Sequence, residues 1–215
     1  MKSASYTNIG ERGNNEDFLA RNENTFIVCD GVGGLAKGEV ASHFVTETLI
    51  RSVADTPIVP LTKIAIQQRL TLVQDQLNDR LDENPDEKGM GTTLTAVFTS
   101  PDAIYLAHIG DSRIYYIRPS AALFWRTTDH SVVAELAKAG IIKESEAKKH
   151  PMSNRITRAI QANIKNETSI ADITLVTKAE PGDLISSVQM AFWKHWTISL
   201  YSKFSATASF PSNRK

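Results

Sequence analysis

Phe26-Ile27-Val28-Cys29-Asp30-Gly31-Val32-Gly33-Gly34 is the stretch on which the reading of this chain turns. Phe26 to Cys29 are apolar and favour extended backbone, so they predict a short buried strand. The strand runs into a carboxylate and then into three glycines within four positions. Glycine there lets a ligand approach the backbone closely and leaves carbonyl groups bare. A carboxylate at the mouth of a buried strand, beside bare carbonyls, suits a hard divalent cation such as Mg2+ or Mn2+. Local turn chemistry offers the plainer alternative, because Asp-Gly after a strand also makes an ordinary turn.

Upstream, a predicted strand from Tyr6 leads into Gly10-Glu11-Arg12-Gly13-Asn14-Asn15-Glu16-Asp17, and Phe18-Leu19-Ala20 re-enters the interior. Glu16 and Asp17 are adjacent carboxylates shortly before Asp30, with Arg12 ahead of them. Carboxylates gather around a cation, and a guanidinium suits a phosphate oxygen, which it grips with two parallel N–H donors. Taken alone, the same run is a solvated acidic turn.

Downstream, Glu39 to Val53 and Leu61 to Leu81 carry apolar residues at helical spacing, the second with Ile64, Leu70, Val73, Leu77 and Leu81 toward the core. Asp82 to Gly91 reads as a polar loop. Leu94 to Thr99 and Ala103 to Ala107 read as paired strands across Ser100-Pro101-Asp102. The second strand ends in His108-Ile109-Gly110-Asp111-Ser112-Arg113, which again sets a carboxylate after glycine between strands. His108 could serve as a ligand or general base, and it could equally be a packed strand end. Thr128-Asp129-His130-Ser131 predicts a helix cap for Val132 to Ala139, with Gly140 as the stop. Lys143 to Pro151 is basic and loop-like, Ile170 to Thr177 is a strand, and Ala179 to Asp183 is a turn into another. Strands, two long helices and then more strands predict an α+β fold, with antiparallel sheet covered by helices.

The chain of 215 residues fits one domain, and 41% apolar with 22% charged residues is the composition of an ordinary globular protein. Lys+Arg and Asp+Glu both number 24, so charge gives no push toward nucleic acid or an anionic membrane. The single cysteine, Cys29, excludes an intrachain disulfide and any multi-cysteine zinc site. No apolar run approaches a membrane span or a signal region, so the expectation is a soluble cytoplasmic monomer.

Arg12-x-x-Asn15-Glu16-Asp17, Asp30-Gly31-x-Gly33-Gly34, Gly91-Thr92-Thr93, Gly110-Asp111-Ser112-Arg113, Asp129-His130-Ser131 and Ile156-Thr157-Arg158 occur in this order. Together they resemble the metal-dependent protein phosphatases, the PPM or type 2C family, in its bacterial form. The resemblance covers residues 5–185 and implies a β-sandwich of two antiparallel sheets flanked by helix pairs, with a metal centre between the sheets. It implies hydrolysis of phosphoserine and phosphothreonine on proteins with Mn2+ or Mg2+, in opposition to a serine/threonine kinase and hence in signalling. By motif match, Asp30 would bridge two metals and the Gly31 carbonyl would bind one of them. Glu16 and Asp17 would hold the second directly or through its waters, Asp111 would help to bind a third, and Arg12 would bind substrate phosphate. A water bridging two divalent ions loses its proton near neutral pH and attacks phosphorus as hydroxide, so Cys29 is not expected to be a nucleophile. Val32 stands where eukaryotic relatives carry a histidine, which leaves the proton donor to the leaving group unassigned. The segment Lys143 to Pro151 falls in the family's flap, which affects substrate choice.

After Ile185 the chain departs from that pattern. The family's second Asp-Gly, commonly within Cys-Ser-Asp-Gly, and a later Asp-Asn are replaced by Ser186-Ser187-Val188-Gln189-Met190-Ala191-Phe192-Trp193, and Asp183 is the last acidic residue. Read one base early from the third base of Ser187, the codons of Val188 to Ala191 can encode Cys-Ser-Asp-Gly. The expectation is therefore a phosphatase domain with its last strands missing, followed by a frameshifted tail over residues 186–215. The competing reading makes the tail a genuine docking segment. Loss of the later carboxylates predicts a weakened metal centre and impaired activity, and in the extreme a non-catalytic module that binds phosphoproteins.

Overall fold

Alternation decides how the strands layer. In the computed structural model, which describes residues 3–5, 7, 14–32, 37–162, 168–177 and 179–188, the chain runs β1 (Asp17–Arg21), β2 (Thr25–Asp30), α1 (Gly38–Asp55), α2 (Lys63–Glu83), β3 (Gly91–Thr92), β4 (Leu94–Thr99), β5 (Ala103–Ile109), β6 (Arg113–Arg118), β7 (Leu123–Arg126), α3 (Val132–Lys138), α4 (Glu144–Ala147), β8 (Ile160–Gln161), β9 (Asp172–Thr177) and β10 (Leu184–Val188). A five-stranded antiparallel sheet has the order β1-β2-β4-β5-β9, a three-stranded one β10-β6-β7, and β3 pairs with β8.

Ile27 and Cys29 of β2, Ala96 and Phe98 of β4, and Ala107 and Ile109 of β5 point to one face of the larger sheet, where α1 and α2 cover them. Phe26, Val97, Ile104, Leu106 and Val176 point to the other face and meet Ile114, Tyr116, Trp125 and Ile185 of the smaller sheet. This is period-2 alternation feeding two cores, helices on sheet and sheet on sheet. Each fully buried Leu or Ile, such as Leu49, Ile66 and Leu70, contributes about 2 kcal/mol relative to exposure. The α+β sandwich expected from the sequence is thus the observed architecture, with α1 and α2 as its clear helix pair.

Helix α2 starts at Thr62, whose hydroxyl accepts from Ala65 N at 3.1 Å. Its buried stripe is Ile66, Leu70, Val73, Leu77 and Leu81, whereas Ile64 is 72% exposed. The expectation of a core role for Ile64 is corrected to Ile66, because only Ile66 lies four residues before Leu70, on the same side of a 3.6-residue turn. The basic segment expected as loop contains α4, whose Glu146 carboxylate reaches back to Lys143 N at 2.7 Å and satisfies a first-turn donor. Helices α3 and α4 pack on each other in the excursion between β7 and β8.

Strand β10 pairs with β6 as far as Val188 opposite Arg113, so it extends three residues into the segment set apart by sequence at Ser186. The remainder of that tail lies outside the described residues, as do Arg12, Gly33 and Gly34. Asp183 anchors the approach to β10. Tyr116 Oη donates to Asp183 Oδ2 at 2.5 Å and Arg118 holds the same carboxylate through Nε and Nη2 at 3.0 and 2.9 Å. Burial pushes this carboxyl up, but the Arg118, Glu180 N–H and Tyr116 hydrogen bonds outweigh it and leave it at about 2.

Candidate metal centre

Of the predicted ligands, Asp17 and Asp30 come together at one end of the larger sheet because the β1–β2 register brings them there. Asp17, the first residue of β1, lies directly opposite Asp30, the last of β2. Directly opposed residues of an antiparallel pair share a face. Continuing the alternation of Phe26 and Val28, that face is the one turned toward the smaller sheet. Asp30 is 8% exposed and Asp111 is 5% exposed.

The backbone around Asp30 is held from several sides. Its N–H donates to Thr93 Oγ1 at 3.1 Å, and its carbonyl accepts from Thr93 N at 2.9 Å and Thr92 Oγ1 at 3.0 Å. Thr93 Oγ1 also meets Ser112 Oγ at 2.8 Å, which ties the Asp30 strand end to the residue after Asp111. Gly31 N donates to the Glu16 carbonyl at 2.9 Å, and Ser42 Oγ of α1 donates to the same oxygen at 2.6 Å. A side chain at Gly31 would place its Cβ 2.4 Å from the backbone of Gly38, so this position must be glycine for α1 to approach. Gly110 has φ +101°, and a Cβ there would lie 2.6 Å from Thr93 Cγ2. Both glycines serve close approach of the ligand-bearing backbones.

Glu16, Asp17, Asp30 and Asp111 therefore come from three chain segments locked together by Thr93, Ser112 and Ser42. Whether they fit a divalent cation can be judged from the β1–β2 pair. Two carboxylates directly opposed on one face repel each other, and a cation between them turns that cost into attraction. Carboxylate and carbonyl oxygens are hard donors of the kind Mg2+ and Mn2+ prefer. The residues fit.

Alongside runs a second polar cluster that the sequence did not suggest. The His108 and His130 rings meet at a tilt of 36° with centroids 4.4 Å apart, and Asp172 completes a trio whose ligand atoms lie within 4.8 Å of one another. His108 faces Asp172 because β5 and β9 pair in that register. Gly110 N donates to His130 Nδ1 at 3.1 Å, and His130 Nε2 meets Asp172 Oδ2 at 3.1 Å. This network assigns the tautomer: Nδ1 bears the lone pair, so in the neutral ring Nε2 carries the proton and donates it to Asp172. A metal ligated at Nε2 would need that proton removed, so the trio is a hydrogen-bonded brace and does not offer the ligand set its compactness suggests. The hydrogen bond from His130 holds the Asp172 carboxyl down at about 2, against burial and with help from Arg158. Burial, and then the neighbouring His130, push His108 down to about 4, so at neutral pH its ring is uncharged. The cap expected within Thr128-Asp129-His130-Ser131 is Ser131, whose Oγ accepts from Ala134 N at 3.3 Å, which leaves His130 free to turn toward Gly110. No local signal marks the trio, since its members are far apart in sequence and only strand pairing joins them.

Next to it, Arg113 grips Asp129 with two hydrogen bonds of 2.6 and 2.7 Å. Burial disfavours the Arg113 charge, but Asp129 outweighs it and raises its pKa further. A cavity of about 710 Å³ opens beside Gly31, lined by Val32, Gly91, Thr157, Arg158, Ser169 and Asp172 among others. Cys29 is wholly buried, and that burial pushes its thiol up to about 12.

Residues 6–178 match the family model described as protein phosphatase 2C. Protein phosphatase PhpP of Streptococcus pneumoniae is 34% identical over 167 residues, which covers 74% of this chain and 68% of PhpP. The crystal structure of serine/threonine phosphatase Stp1 from Staphylococcus aureus superposes with a TM-score of 0.71 at 30% identity, over 80% of this chain and 69% of Stp1. The catalytic domain of the serine/threonine protein phosphatase PstP, solved in complex with two manganese ions, gives a TM-score of 0.67 at 30% identity, over 81% of this chain and 70% of that one.

Proposed function

Given that the chain belongs to the protein phosphatase 2C family of serine/threonine protein phosphatases, we propose that Asp30, Asp17, Glu16 and Asp111, with the Gly31 carbonyl, hold the divalent ions of a phosphoprotein hydrolase. The ions are Mn2+ or Mg2+, two of them at Asp30, Asp17 and Glu16, with a third at Asp111. The observation that carries this is the opposition of Asp17 and Asp30 on one face of the β1–β2 ladder, with both carboxylates at the sandwich end. When bound, such ions lower the pKa of water and neutralise charge that develops on a phosphoryl group in transfer.

The chain's own residues do the rest. Thr93 and Thr92 fix the Asp30 backbone, and Ser112 fixes the loop that carries Asp111. Arg12, which lies outside the described residues, binds the substrate phosphate through its guanidinium fork. The cavity beside Val32 and Gly91 gives the polypeptide around the phosphorylated residue a place to lie. Cys29 takes no part, being buried and held as the thiol. The substrates are proteins carrying phosphoserine or phosphothreonine, set there by a kinase whose signal this enzyme ends. It works as a monomer in the cytoplasm. Among the described residues, no helix is long and apolar enough to cross a membrane.

The test is release of phosphate from a phosphothreonine peptide by the full chain. Turnover with Mn2+, loss of it in EDTA, and a drop of about 100-fold or more in Asp30→Asn are expected, since even outer partners of metal ligands cost 10–100-fold. An Asp30→Asn protein with the unsubstituted rate would refute the assignment.

A further inference from the structure

We propose that His130 is a positioning residue for the metal centre, setting the Gly110 peptide and through it Asp111, with Asp172 fixing the His130 ring. The inference rests on the assignment of Asp111 to the centre.

Gly110 is gripped on both of its backbone polar groups, and so in both peptide planes that flank it. Its N–H donates to His130 Nδ1 at 3.1 Å. Its carbonyl accepts from His130 N at 2.8 Å and lies 2.9 Å from His108 Nε2. Three hydrogen bonds from two histidines thus converge on the residue immediately before Asp111. That residue has φ +101° and stands against Thr93, so its conformation is one the chain does not adopt by default. Rotation of either plane would swing Asp111, because the 110–111 peptide is bonded to the Asp111 Cα and the 109–110 peptide is one Cα further away.

The ring that makes the decisive contact is itself oriented. His130 Nε2–H donates to Asp172 Oδ2, so Nδ1 keeps the lone pair that Gly110 N–H needs. His108 is buried with its Nδ1 facing no hydrogen-bond partner among the described residues, and packs against the His130 ring from the other side. The tilted His108 ring against one face and the Asp172 carboxylate at Nε2 restrain the orientation of the His130 ring. The arrangement has the logic of a ligand's outer partner, except that it acts on the ligand's backbone.

Four variants of the full chain test this, with Mn2+ affinity measured by calorimetry and by the electron-spin-resonance signal of free Mn2+, and with hydrogen exchange followed at the Gly110 amide. His130→Asn places a carbonyl oxygen near the position of Nδ1 and keeps the acceptor. His130→Gln moves the amide outward and loses it. Asp172→Ala, at a largely exposed site, releases the ring without disturbing the core. Asp111→Asn reports on the ligand itself. The expected result is weaker Mn2+ binding in Asp111→Asn, a loss of about tenfold with faster Gly110 exchange in His130→Gln, a smaller loss in Asp172→Ala, and near-parental binding in His130→Asn. Undiminished affinity in His130→Gln or in Asp172→Ala, while Asp111→Asn is weakened, overturns the positioning role alone. The same follows if His130→Asn is as damaged as His130→Gln. Undiminished affinity in Asp111→Asn overturns the ligand assignment and the positioning role with it. If His130→Gln fails to fold by circular dichroism, Asp172→Ala and His130→Asn decide.

Discussion

Mild acid should destabilise this protein through one buried ring. His108 is fully buried, and that burial holds its folded pKa at about 4, against the ordinary value of 6.5. Between those values the unfolded chain binds a proton there that the folded chain refuses. Stability therefore falls as pH drops from 6.5 toward 4, and the contribution is fully present above 6.5. At about 1.4 kcal/mol for each pH unit, the whole window is worth about 3 kcal/mol, and the span from pH 8 to pH 5 about 2 kcal/mol. Urea unfolding in EDTA at both pH values measures it, with His108→Gln as the control. Glutamine can donate to the Gly110 carbonyl as His108 Nε2 does, and it does not titrate. The parent should lose about 2 kcal/mol more than the variant. Asp172 and Asp183, with folded values of about 2, shed their contributions mostly below pH 4, outside the window. Parallel losses in parent and variant would show that His108 is not the group responsible.

Gly31→Ala should cost about 3 kcal/mol, the upper range for overpacking, because its Cβ would sit 2.4 Å from the Gly38 backbone. The shift of the urea midpoint reads this, and an unshifted midpoint would mean that α1 moves aside freely. Cys29 should resist iodoacetamide in the native protein at pH 8 and react only on unfolding, since its thiol is buried and pushed up to about 12. Rapid native alkylation, followed by mass spectrometry, would contradict the placement of β2 in the core.

The sequence disclosed much of this architecture because its signals are local. The apolar run into Asp30, the helical stripe from Leu70 to Leu81 and the strand pair around Ser100-Pro101-Asp102 each carry their own period. Ile64 and Ile66 lie close together in one helix, and only the phase set by Leu70 and Val73 chooses between them for the core. Helix α4 has no periodic signal of its own, because it spans four residues of a basic segment and its start is held by a carboxylate bond from Glu146. Strand β7, Leu123–Arg126, follows a turn of one 3₁₀ helix and is too short for its period to show. At the candidate metal centre the sequence offers the acidic positions as motifs, whereas the facing of Asp17 and Asp30 depends on strand register. The His108–His130–Asp172 brace is a product of pairing between β5 and β9 and of a return from β7, and no window of sequence contains it.

The excursion that carries α3 and α4 is closed at its base. Ser131 bridges Ile156, Val132 N donates to the Arg155 carbonyl at 2.9 Å, and Thr157 N donates to the His130 carbonyl at 2.8 Å. A loop cinched at its root behaves like an interchangeable attachment. Doubling its length adds only about 0.6 kcal/mol of closure entropy, so insertions or grafts between residues 132 and 155 are cheap for the scaffold. Lineages, or engineers, can therefore redraw the surface that this excursion presents while the carboxylates of the sheet stay where its register puts them.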